Sequence, residues 1–159
     1  MGGGLTNAVT VLFVTPIDAD HIRLAWIVSH SRWELHRATG CREALAFLRE
    51  QHFGVVIANS ELPDGTWQDF LDELATLPHP PNLVVASRLA DERLWAEALN
   101  LGAYDLLPTP FEPDEVLRVT YLAWDAWRRT GTLTPARKPV STEGSSETGG
   151  QSSATGAGR

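Results

Sequence analysis

Strand-like apolar runs and helix-like amphipathic segments alternate along the chain. AVTVLFV (8–14), FGVVIA (53–58) and NLVVA (82–86) are nearly continuous apolar runs with many β-branched residues. That is the pattern of strands buried on both faces. WELHRA (33–38) is more polar and reads as an outer strand, and AYDLL (103–107) as a short one. Each run is followed by a helical pattern. In residues 18–31 Asp18 stands as the N-cap, with Ile22, Ala25, Trp26 and Ser29 at helical spacing. Residues 39–50 turn Ala44, Leu45, Phe47 and Leu48 inward, and Trp67, Phe70, Leu71 and Leu74 mark a third helix. Residues 91–101 carry Leu94, Ala98 and Leu101 on one stripe and stop at Gly102. Residues 112–129 form the last helix, with Val116, Leu117, Tyr121, Trp124 and Trp127.

Five strand–helix units predict an α/β fold: a doubly wound parallel sheet with helices on both faces, a three-layer sandwich. Central places for the apolar strands and an edge for WELHRA give the strand order 2-1-3-4-5. Such sheets carry their functional crevice at the carboxyl ends of the strands, where the winding reverses. Thr15, Pro16, Asn59, Ser87 and Thr109 fall there.

The ends of the chain have a different composition. Residues 1–7 read as a flexible leader, and MGGGLT matches the N-myristoylation pattern only weakly. Residues 130–159 are rich in Ser, Gly and Thr, with Leu133 and Val140 as the large apolar residues, and read as a disordered tail. Residues 8–129 are left as one domain. With 159 residues the chain has room for one domain of ordinary size.

Composition narrows the chemistry. The net charge of −7 does not favour a nucleic-acid backbone, and no apolar run suggests a membrane span. Cys41 is the one cysteine, so a cysteine-based zinc cluster is excluded. The one lysine, Lys138, lies in the tail, which removes Schiff-base chemistry and a phosphate-binding lysine from the domain. The five histidines have no metal-ligand spacing, and His21 and His79 read as surface residues. Cys41 reads as inert. No nucleophilic elbow and no Gly-rich nucleotide loop occurs, so neither an enzyme nor a cofactor is expected.

Three stretches in this order carry a resemblance: ATGCREALAFLRE (38–50), VVIANSELPDG (55–65) and VVASRLADERLWAEALNLGAYDLLPTPF (84–111). With them, residues 8–129 resemble the receiver domain of bacterial response regulators. The resemblance implies the flavodoxin/CheY-like form of the fold, a role in two-component (phosphorelay) signalling and a cytoplasmic location. It also implies a divalent cation held by two acids after strand 1, an aspartate acceptor after strand 3, a hydroxyl after strand 4 and a lysine after strand 5. Here those positions fall on Thr15 and Pro16, on Asn59, on Ser87 and on Thr109, which precedes Pro110; the position of the switch aromatic falls on Leu106. Of these, Ser87 alone keeps the implied side-chain type.

An amide is a poor phosphoryl acceptor beside a carboxylate. A hard cation wants carboxylate oxygens, and a buried lysine without acids is an unpaired charge. Acids and lysine are therefore expected to disappear together, as they do here, leaving a degenerate pseudo-receiver with a neutral crevice and no metal. The expected function is phosphorylation-independent signalling by protein–protein interaction, with a histidine kinase or another signalling protein as partner. Two alternatives stay open: phosphorylation at a noncanonical acid, Asp64 or Asp18, and a small-molecule sensor built on the crevice. Asp18 and Asp20 both follow the acid-pair position closely enough to reach the crevice, and Glu61 and Asp64 read as turn residues.

Six tryptophans are many for this length. Trp26 and Trp33 are expected in or against the core, and Trp67 over the crevice or within helix 3. Trp95, Trp124 and Trp127 are expected either on the helix 4–strand 5–helix 5 face, which the resemblance makes a common partner surface and a possible homodimer face, or in ordinary core packing.

Overall fold

The computed structural model describes residues 9–130. Seven strands and five helices follow one another as β1 (Thr10–Val14), α1 (Asp18–Val28), β2 (Glu34–Ala38), α2 (Cys41–Glu50), β3 (Val55–Asn59), β4 (Glu61–Leu62), β5 (Gly65–Thr66), α3 (Trp67–Leu74), β6 (Asn82–Ser87), α4 (Glu92–Leu101), β7 (Asp105–Pro108) and α5 (Pro113–Thr130). The main sheet is parallel throughout, in the order β2-β1-β3-β6-β7. With β6 and β7 as its fourth and fifth strands, this is the predicted order. The two-residue strands β4 and β5 form a separate antiparallel hairpin, where the sequence pattern predicts a plain turn.

Two hydrophobic layers hold the sheet. On one face Leu12, Val14, Val56, Ala58, Leu83 and Val85 meet residues of α2, α3 and α4, among them Ala44, Phe70, Leu74 and Ala98. On the other, Val11, Phe13, Val55, Ile57, Val84 and Ala86 meet Leu24 and Ile27 of α1 and Val116, Val119 and Ala123 of α5. Alternate strand residues point to opposite faces, so a continuous apolar run fills both layers. Phe13, Phe53, Phe70 and Phe111 are fully buried; each such side chain contributes on the order of 1.5–3 kcal/mol of burial free energy.

Helix ends follow local chemistry. Thr66 and Asp69 form a reciprocal capping box at the start of α3. Asp91 accepts the Leu94 N–H at the start of α4, and Gly102 ends that helix in the left-handed region at φ 116°. Pro113 opens α5, with Asp114 and Glu115 in its first turn and Arg128 and Arg129 in its last. The cap of α2 comes from far away in the chain. Asp64 Oδ1 and Oδ2 accept the N–H groups of Cys41 and Arg42 at 2.8 and 3.0 Å. A Cβ on Gly40 would lie 2.8 Å from Asp64 Oδ1, so glycine makes this approach possible.

Several expected placements are corrected. Asp18 is not the N-cap of α1: Ile17 occupies that position without a side-chain cap, and Asp18 pairs with Arg37 at 2.9 Å. The buried stripe of α1 is Asp20, Leu24, Ile27 and Val28, whereas Ile22 and Trp26 are 66% and 53% exposed. Leu101 and Tyr121 are exposed as well. Trp124 is buried and Trp127 half-buried. Both indoles lie on the backbone of Gly54, where a Cβ would meet Trp124 Cδ1 at 2.7 Å and Trp127 Cε3 at 2.8 Å. They fill the space beside the amino end of β3 and are not surface anchors. Trp127 also stacks on half-buried His79, with ring centroids 4.4 Å apart. Trp67 is buried in the α2–α4 layer and does not cover the crevice. Trp33, unlike Trp26, lies where expected, half-buried against the α1–α5 layer. The expectations for residues 1–7 and for the tail after Thr130 lie outside the described residues.

Candidate functional site: the carboxyl edge of the sheet

Parallel pairing brings the strand ends to one edge. Asn59 and Ser87 are the last residues of β3 and β6, Thr15 follows β1 and Thr109 follows β7. The ladder continues past the strands: Thr15 N–H donates to Ala38 O, Ser60 N–H to Ala86 O and Thr109 N–H to Ser87 O, at 2.9, 2.9 and 3.1 Å. Four of the five crevice positions are thus held by sheet geometry. Pro16 is exposed in the β1–α1 connection, and the Thr109–Pro110 peptide is cis.

The hydroxyls at this edge serve the backbone. Thr15 is buried, and its Oγ1 accepts the Ile17 N–H at 3.0 Å. Arg37 donates to Thr15 O through Nε and Nη2 while its guanidinium also pairs with Asp18. Ser87 Oγ accepts from Ser60 Oγ at 3.1 Å and from Leu89 N–H at 3.0 Å. Leu106, at the position of the switch aromatic, is buried in the α2–α4 layer.

One charge enters the crevice. Asp20, on the first turn of α1, is 8% exposed, and its Oδ2 accepts a long bond of 3.4 Å from Asn59 Nδ2. Asn59 is 7% exposed, and its Oδ1 has no hydrogen-bond partner. The crevice is therefore not neutral, as the residues at the strand ends alone suggested. The carboxylate comes from Asp20, one of the two acids that follow the acid-pair position closely enough to reach the crevice.

The other two acids are committed elsewhere. Asp18 lies on Arg37. Asp64 caps α2, and those two N–H bonds hold its carboxyl below the usual carboxylate range. Beside it, burial and then the Asp64 charge push the Cys41 thiol up to about 11. These residues line a groove of about 300 Å³ between α2 and α3, with Arg42, Leu45, Arg49, Asp69, Phe70 and Glu73.

The divalent cation implied by the fold can be tested against these side chains. A hard cation in such a place takes carboxylates, carbonyls and water. Here Asp20 supplies a single carboxylate bonded to Asn59, the unpartnered Asn59 Oδ1 adds only a neutral oxygen, and Thr15 O already accepts from Arg37. The set does not fit a divalent cation. Among the described residues no group of three or more His, Cys, Asp or Glu is placed to hold a metal ion.

The comparisons with known proteins agree with this sheet. Residues 18–120 match the response regulator receiver domain family, and the chain belongs to that family. Among curated proteins it is 25% identical over 108 residues to the chemotaxis protein CheY of Thermotoga maritima, across 67% of this chain and 90% of that protein. Among solved structures, the receiver domain of an HD domain-containing protein from Pseudomonas fluorescens Pf-5 superposes with a TM-score of 0.73 at 22% identity, covering 80% of this chain and 95% of the other. The chemotaxis response regulator CheY4 of Vibrio cholerae gives 0.67 at 20% identity, covering 74% and 99%. These structures share the fold. No helix among the described residues is long and apolar enough to cross a membrane.

Proposed function

We propose that this receiver domain is a pseudo-receiver, which signals by docking to a protein partner without a phospho-aspartate and catalyses no reaction of its own. The observation that carries this reading is Asn59 at the carboxyl end of β3, enclosed and bonded to Asp20. An amide there offers no nucleophilic oxygen comparable to a carboxylate. Thr15 and Pro16 bring no acid, and Thr109 brings no cation to receive a phosphate. The commitments of Asp64 to α2 and of Asp18 to Arg37 weigh against either as a substitute acceptor. The partner face keeps Trp95 from the expected set. It is 47% exposed, and its Nε1 donates to Asp105 Oδ1 at 3.2 Å; Leu101 and Tyr121 join it as exposed apolar residues of α4 and α5. A histidine kinase or another signalling protein suits such a face, an aromatic anchor with a charged rim.

The test is an amide ¹H–¹⁵N spectrum of the full chain with magnesium and beryllofluoride, a mimic of the phosphoryl group. Unchanged resonances at Thr15, Asn59 and Ser87 are expected. Saturable shifts at these residues would overturn the reading.

A further inference from the structure

The outer side of α1 is where the fold departs most from an ordinary amphipathic helix. Ala19, Ile22, Arg23 and Trp26 fall within about 100° of helical arc at 100° per residue, and His30 follows in the turn after the helix. Ile22 and Trp26, one turn apart, are 66% and 53% exposed. Nothing among the described residues covers them. The indole is nevertheless held in place. His30 meets it edge-on at 4.9 Å, and the Arg23 guanidinium lies 5.6 Å from its centroid. Arg23 is itself anchored, donating from Nε and Nη2 to Phe111 O at 3.2 and 3.1 Å. A large aromatic fixed in one orientation loses little side-chain entropy on contact, which is the economy of a preorganised anchor.

The charges along α1 indicate what covers this stripe. Its amino end presents Asp18, which pairs with Arg37 at 2.9 Å yet keeps 83% of its side chain exposed. α1 has no basic residue in its last turn, and the turn that follows it carries exposed His30 and exposed Arg32. A segment that opens on an acid and is followed by a base is complementary to itself run antiparallel, and the two helix dipoles then oppose favourably. A two-fold axis level with Leu24 sets Ile22 against Trp26 of the second copy and Asp18 against its His30 and Arg32. The contact is isologous and closes on itself. The Arg23 guanidinium, turned back to Phe111 O, stays out of the seam.

We propose that α1 is a self-association surface, on which a second copy of this chain docks its own α1 antiparallel. The surface is separate from the crevice and from the face bearing Trp95, so the inference stands whether or not Asn59 ever takes a phosphoryl group.

Sedimentation velocity of the full chain, from micromolar to submillimolar concentration, tests it. A reversible monomer–dimer equilibrium is expected. Trp26→Glu and, separately, Ile22→Glu should each weaken it about thirtyfold or more, with far-ultraviolet circular dichroism unchanged. A charge arm identifies the geometry. Arg32→Glu alone and Asp18→Arg alone should each weaken the dimer, and mixing the two variants should restore it, because both ends of the mixed dimer are again opposite in sign. A chain that stays monomeric throughout the range would overturn the proposal. So would a dimer indifferent to both α1 apolar variants, as would a mixture that fails to recover.

Discussion

Asn59 Nδ2 and Asp20 Oδ2 lie 3.4 Å apart at the buried carboxyl edge of the sheet, where β3 ends and α1 begins. The amide thus faces a carboxylate, and its own oxygen is left without a partner. An unsatisfied buried acceptor costs about 1–3 kcal/mol. This pair makes the character of the site sensitive to one oxygen-for-nitrogen exchange. In an Asn59→Asp variant two carboxylates would face each other across the former hydrogen bond, with repulsion that a cation can relieve. The variant is expected to melt below the wild type in chelator and to recover on addition of magnesium. The wild-type melting temperature should not respond to magnesium. Thermal denaturation of both proteins with and without the ion checks this.

The cap of α2 yields a pH signature. Asp64 has a folded-state pKa below its ordinary value of 3.8 because it accepts the Arg42 and Cys41 N–H groups. A depressed acid stabilises the fold above its unfolded pKa, and that contribution is lost as pH falls through the folded value. Asp64→Ala should therefore cost about 1 kcal/mol at neutral pH, the usual worth of such a cap. The difference from wild type should shrink below about pH 4, where the unfolded carboxyl is protonated. Urea denaturation of the two proteins at neutral and acid pH measures it.

Cys41 is buried beside that carboxylate, with a thiol pKa near 11. The thiolate is the reactive form. A maleimide or disulfide reagent at neutral pH should react far more slowly with the folded chain than with the unfolded one. Equal rates would show that the groove between α2 and α3 is open down to the sulfur.

Gly54 is expected to be intolerant of any side chain. Its Cβ would press on two rigid indoles at under 3 Å, and overpacking of this kind costs about 1–3 kcal/mol. Gly54→Ala should lower stability by that amount and shift tryptophan emission, since Trp124 and Trp127 must move. An unchanged denaturation midpoint would mean that the two indoles are not seated on this strand.

The sheet was legible because its strands advertise their place. Val11–Val14 and Val55–Ala58 fill both layers and so read as continuous apolar runs, while Glu34, His36 and Arg37 mark β2 as the edge. The phase of α1 was not legible. Ile22, Leu24, Trp26, Ile27 and Val28 leave no polar side, and the helix buries Asp20 while exposing Trp26. Asp18 and Asp20 both lie within reach of the crevice along the chain, and only the tertiary contact with Asn59 selects Asp20. Asp64 as the cap of α2 spans 23 positions, beyond the reach of any local capping pattern. Trp124 and Trp127 were drawn to the surface because three-residue spacing on a helix fits a face as well as a core; only the absence of a side chain at Gly54 tells where they go. The four strand-end positions could be located because a parallel sheet sends every strand's carboxyl end to the same edge.

The central claim concerns a single bond at Asn59. The most direct measurement is the intact mass of the full chain after incubation with acetyl phosphate and magnesium, quenched at a pH that preserves acyl phosphates. The account predicts an unmodified mass under conditions that phosphorylate an ordinary receiver domain run in parallel. Gain of one phosphoryl group would contradict it. Peptide mapping of that group would then show whether Asp20, the carboxylate nearest Asn59, is the acceptor.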